Sequence, residues 1–110
     1  MAEYLMQLSY SSGAWAALVK RPENRVEVVR KVIDKMGGKL GGFWFSFGDH
    51  DLVGMVEMPD NVTAAAFAIA LAAGGACKNI KTTPLLSIED GMAAMKKAGA
   101  SGYKPVTGKK

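Results

Sequence analysis

The sequence is poor in several residue types that would have announced a chemistry. It has one cysteine, one histidine and four prolines in 110 residues. A single cysteine excludes an internal disulfide, so the core must come from apolar burial. One histidine and one cysteine leave nothing from which to build a multi-ligand zinc site, so no metal is expected. Neither Gly37-Gly38 nor Gly41-Gly42 belongs to a Gly-x-Gly-x-x-Gly pattern, and no phosphate-loop lysine follows them. The longest apolar run, Ala64 to Gly75, covers about 12 residues, well short of the ~20 that span a bilayer. No basic segment followed by an apolar run opens the chain, and Glu3 arrives at once, so a cytoplasmic location is expected, with no membrane contact.

Acidic residues are absent after Asp90. The chain carries +4 overall, which taken alone points towards nucleic acid. The charge is divided unevenly. Residues 1–90 sum to −1, and residues 91–110 sum to +5 through Lys96, Lys97, Lys104, Lys109 and Lys110. No basic stripe interleaved with aromatics lies on a strand or helix, so nucleic acid is not the expected partner. The segment from 99 to 110 is small, polar and punctuated by glycine and proline, which reads as a basic, solubilising tail on a domain of residues 1–98.

What is present is ordinary for one globular domain: 49% hydrophobic and 22% charged residues. Glu3 to Tyr10 alternates as a strand, with Tyr4, Met6, Leu8 and Tyr10 on one face and Leu5, Gln7 and Ser9 on the other. A short helical piece covers Ala14 to Val19. From Pro22 to Met36, Val26, Val29, Ile33 and Met36 recur at helical spacing, until Gly37-Gly38 stops the helix. Lys39 to Phe47 reads as a strand with Phe43, Phe45 and Phe47 on one face and Trp44 and Ser46 on the other. Gly48-Asp49-His50-Asp51 turns it into Leu52 to Met58. The expected register sets Phe47 opposite Leu52 and Phe45 opposite Gly54, which leaves room for the Phe45 ring.

Asp60 or Asn61 caps a helix that runs to Ala73 with no charged face. Such a helix needs cover on more than one side, and self-association is the expected source of it. Ala76 to Thr83 is a fourth strand, limited by Pro84. Ser87 caps a short helix, Glu89 to Ala98, with Met92 and Met95 directed inward. The order β-α-β-β-α-β followed by a short helix predicts an α+β, ferredoxin-like split βαβ fold: a four-stranded antiparallel sheet with helices on one face.

Four stretches, taken in order, resemble the GYD domain family: Pro22-Glu23-Asn24-Arg25; Met36-Gly37-Gly38-Lys39-Leu40; Phe47-Gly48-Asp49-His50-Asp51 with Leu52-Val53; and Glu57-Met58-Pro59-Asp60 before an Ala-rich helix ending in Gly74-Gly75. Thr82-Thr83-Pro84 fits as well, and the resemblance covers roughly residues 3–97. The family's Gly-x-Tyr-Asp signature stands here as Gly48-Asp49-His50-Asp51, with His50 in place of tyrosine. The resemblance implies a dimeric α/β barrel, two sheets facing each other, sometimes assembled further. It implies no established activity.

The candidate site residues follow. Trp44, Ser46, Gln7, Ser9 and Glu57 lie on the mixed sheet face, where they line a pocket for a small apolar or aromatic ligand between paired sheets, or where Trp44 with Met55 forms dimer core. His50 is either a turn residue or a general base oriented by Asp51. Cys77 has no histidine near it in sequence and reads as a small buried hydrophobe. The expected function is a homo-oligomeric small-ligand-binding or regulatory module without a cofactor. The alternatives are a cofactor-independent oxygenase or isomerase with His50 as base, and a purely structural self-assembling protein.

Overall fold

The computed structural model describes residues 1–106. Its elements are β1 (Ala2–Tyr10), α1 (Ser12–Lys20), α2 (Val26–Lys35), β2 (Lys39–Phe45), β3 (Leu52–Met58), α3 (Asn61–Ala73), β4 (Cys77–Leu85) and α4 (Ile88–Gly99). The strands form one sheet in the order β2-β3-β1-β4, every neighbouring pair antiparallel. This is the ferredoxin-like arrangement that the order of elements predicts. Gly99 is the last residue of α4. Lys109 and Lys110 lie outside the described residues.

The alternation of β1 and β3 decides which way the sheet faces. Tyr4, Met6 and Leu8 of β1 are buried with Leu52, Val56 and Met58 of β3, and α2 and α3 add Ile33, Ala64 and Phe67 from above. The opposite face carries Leu5, Gln7, Val53 and Met55, all only half-buried. Tyr4 also ties β1 to the start of α3, its hydroxyl donating to Asn61 Oδ1.

Four local readings need correction. The β2–β3 register is displaced by two residues: Phe43 lies opposite Gly54 and Phe45 opposite Leu52. The turn is therefore longer than read, and Phe47 leaves the sheet and is fully exposed. Ser46 closes this turn, its backbone N–H donating to the Asp51 carbonyl at 2.8 Å and its hydroxyl to the His50 carbonyl at 2.7 Å. A bulge between Leu40 and Gly42 takes up the extra residue. It is thus Phe43 that uses the space at Gly54, where a Cβ would sit 2.6 Å from the ring.

The second correction concerns α2, which begins at Val26, four residues after Pro22. Asn24 Oδ1 accepts the Val26 N–H at 2.9 Å, a local side-chain turn that competes with an earlier helix start. Third, Pro84 does not end β4: it lies opposite Tyr4, and Leu85 lies opposite Glu3. β4 is an edge strand, where a missing N–H on the outer side goes unnoticed. Fourth, Met92 and Met95 do not point inward. Both are exposed, and α4 buries none of its residues against the rest of the chain. Its cap is as read, with Ser87 Oγ accepting the Asp90 N–H at 3.0 Å.

Candidate functional site

Among the described residues, one apolar pocket, open to solvent on one side, lies on the helix side of the sheet. An apolar cavity of about 200 Å³ separates α2 from α3. Its floor is Met6 and Leu8 of β1 with Leu40, Phe43 and Val56 of β2 and β3. Its walls are Val29 of α2 and Phe67, Ala70 and Leu71 of α3. The cavity exists because its α3 end is lined by small residues: Ala70, Gly74 and Ala76 offer little volume where a larger side chain would close the gap.

Three residues that carry polar groups, Tyr10, Arg25 and Cys77, are part of its lining. Burial raises the pKa of Tyr10 above its ordinary value, and the neighbouring Cys77 adds to the rise. Arg25 opposes it by favouring the phenolate, while Glu23 and Asp51 push the other way. Burial also pushes the Cys77 thiol up, so it stays protonated near neutrality. A second, smaller cavity of about 100 Å³ runs alongside and shares Tyr10, Arg25 and Phe43 as its wall. An apolar interior with a few polar groups at one edge suits a small ring or short aliphatic body with one polar end.

The signature turn supports this wall. Asp51 Oδ2 accepts the Tyr10 backbone N–H and the Trp15 indole N–H, each at 3.0 Å. The Asp51 N–H donates in turn to the Leu8 carbonyl at 2.8 Å. Trp15 meets Tyr10 edge-on, with ring centroids 5.2 Å apart, and its other side approaches Phe45 at 6.3 Å. One carboxylate thus fixes the end of β1, the first helix and the aromatic wall of the cavity.

The residues singled out from sequence fall into three places. Gln7, Val53 and Trp44 pair in one row across the open sheet face, and the Trp44 ring lies over Gly42. Ser9, Ser46, His50 and Asp51 gather at the 46–51 turn. There Ser9 is buried, with its hydroxyl 3.4 Å from the Asp49 carbonyl, and His50 is half-buried. Glu57 is apart from both groups, paired with Glu3 and Lys39. It lies four residues, or about 13 Å, along β3 from the Trp44 row. Sequence alone does not group Tyr10, Arg25, Phe43 and Cys77, because the pairing of Tyr10 with Cys77 across β1 and β4, and the packing of the start of α2 over β2, bring them together from separate stretches. The one signal available in sequence was the run of small residues around the end of α3.

Among the described residues, no helix is long and apolar enough to cross a membrane. The sequence matches the family described as the GYD domain over residues 4–95. No curated protein and no solved structure matches the chain.

Proposed function

Because this chain belongs to the GYD domain family, whose matched region includes both the signature turn and the cavity it braces, we propose that it is a small-ligand-binding module of a homo-oligomer. The observation that carries this reading is the apolar cavity of about 200 Å³ between α2, α3 and the sheet. An apolar cavity of ~150 Å³ is enough to take up benzene, so this one accommodates a substituted ring. The ligand class is a small aromatic or aliphatic molecule whose polar or acidic end faces Arg25 and Tyr10. Arg25 now pairs with Glu23 at 3.0 Å on an exposed edge, an ion pair weak enough to exchange for a ligand carboxylate.

The oligomer is paired through the open face of the sheet. Support comes from its composition: Leu5, Val53 and Met55 lie there beside Trp44, which is 56% exposed. α2 and α3 pack on the other face, so among the described residues no helix covers this surface.

Calorimetric titration with benzoate tests the ligand reading. The wild type is expected to bind saturably. Ala70→Phe, which fills the cavity, is expected to abolish the heat while the circular dichroism spectrum is unchanged. Arg25→Gln is expected to weaken benzoate binding at least several-fold. Equal binding by the wild type and Ala70→Phe would overturn the site. Light scattering tests the pairing: Val53→Asp is expected to lower the assembly mass, and an unchanged mass would overturn it.

A further inference from the structure

α4 is an amphipathic helix whose apolar stripe is not buried by any of the described residues. Ile88, Met92 and Met95 are 83%, 54% and 72% exposed. With Gly99 they stand at i, i+4, i+7 and i+11, a single stripe, while Glu89, Asp90, Lys96 and Lys97 occupy the other faces. A free helix of this length is marginal in water. The molecule is long, with a radius of gyration of 18.2 Å and a longest extent of 62 Å, to which α4 and the exposed chain after it both contribute. A compact chain of 110 residues has a radius of about 13 Å.

α3 bears the complementary surface. Its inner stripe, Ala64, Phe67 and Leu71, faces the sheet. Directly opposite, Val62, Ala66, Ile69 and Ala73 are exposed, again at i, i+4, i+7 and i+11, and the helix carries no charge. The two stripes match in period and in length, since α3 has 13 residues and α4 has 12. They also match in relief. The alanines of α3 leave shallow holes, and methionine is the side chain best able to fill them.

We infer that α4 of one copy docks along the outer face of α3 of a second copy, and that the exchange is reciprocal. The partner is a second copy because the chain gives α4 no slack to reach its own α3. Leu85 is still paired in the sheet, and only Leu86 and Ser87 separate it from the helix, with Ser87 fixed as the cap. The five large residues Val62, Ile69, Ile88, Met92 and Met95 are all more than half exposed. Complete burial of these five side chains on both copies would remove at most about 1,400 Å² in total, which reaches the ~1,200–2,000 Å² of a stable interface. Reciprocity closes the pair on a two-fold axis and leaves no free end to polymerise. This contact uses the helix layer, so it is independent of the open sheet face and can join sheet-paired dimers.

The test uses the full chain in a Cys77→Ala background. A chain carrying Ile69→Cys is mixed with one carrying Met92→Cys, and then with one carrying Met95→Cys, under mild oxidation. A covalent dimer is expected from at least one mixture, and from neither chain alone. The same crosslink is expected when Val53→Asp is added, which separates this contact from sheet pairing. In light scattering, Met92→Asp/Met95→Asp is expected to halve the assembly mass at unchanged helix content. An unchanged mass in that variant overturns the inference. So does a disulfide that forms only within one chain carrying both cysteines.

Discussion

The indole nitrogen of Trp15 donates to Asp51 Oδ2 at 3.0 Å, joining the first helix to the signature turn across 36 positions of sequence. The same oxygen holds the backbone of Tyr10, whose ring is a wall of the apolar cavity. Asp51 therefore acts on the cavity through the residues it positions.

Asp51→Ala leaves two N–H donors without their acceptor. A loss of about 1–3 kcal/mol is expected, chiefly the cost of stranding the part-buried Tyr10 N–H, since the Trp15 indole can turn to water. In a Trp44→Phe background the remaining tryptophan, Trp15, should shift its emission to longer wavelength. His50→Ala should change stability by less than about 0.5 kcal/mol, because the Ser46 hydroxyl bonds to the His50 backbone carbonyl and not to its ring. Chemical denaturation of the two variants checks both expectations.

Gly54→Ala is expected to destabilise by about 1–3 kcal/mol, the range for overpacking a filled site. The added methyl would lie 2.6 Å from Phe43 Cδ1 and 3.3 Å from the Gly42 carbonyl, so ring and strand must both move. Phe43→Leu in the same chain should recover part of the loss, and a double-mutant cycle measures how much.

Sheet order and strand faces were legible in the sequence because alternation in Tyr4–Tyr10 and Leu52–Met58 is a local pattern with one physical outcome. The family was legible for a similar reason: turn residues such as Gly37-Gly38 and Gly48 to Asp51 are punctuation fixed by backbone geometry. The register of β2 was not, because it depends on a bulge at Gly41 and on Ser46 closing a longer turn, neither of which follows from hydrophobic period. The cavity was not legible either. Val29, Phe67 and Cys77 meet only because two helices separated by a strand pair diverge over the sheet. Met92 and Met95 share a face of α4 as their spacing implies, but that face is exposed, since period says which residues share a face and nothing about what that face meets.

Thr82→Val is expected to stabilise the protein by about 1 kcal/mol. The Thr82 hydroxyl is buried without a hydrogen-bond partner, and a methyl of the same shape removes its desolvation cost. A higher melting temperature in calorimetry is the readout; a lower one would mean that the hydroxyl is satisfied in solution.

Two titrations have opposite consequences. Asp60 caps α3, accepting the Thr63 N–H at 2.8 Å and the Thr63 hydroxyl at 2.7 Å, and these bonds hold its carboxyl below the usual pKa of 3.8. Its contribution is full above that value and is lost as pH falls through the lowered one. Asp60→Asn keeps a cap but should flatten this acid limb in denaturation curves. Cys77 is displaced upward by burial from an ordinary value of 9.0. Its alkylation by iodoacetamide at neutral pH should be slower than that of a free thiol, with the rate rising at a midpoint above 9.0.

A methyl-resolved NMR titration with benzoate separates cavity binding from binding elsewhere, because it locates the ligand as well as detecting it. Saturable shifts are expected to move together at Met6, Leu8, Val29, Val56 and Leu71, which line the cavity, while Leu5, Val53 and Met55 on the open face stay put. Shifts confined to Leu5, Val53 and Met55, or no saturable shift at all, would contradict binding in the cavity.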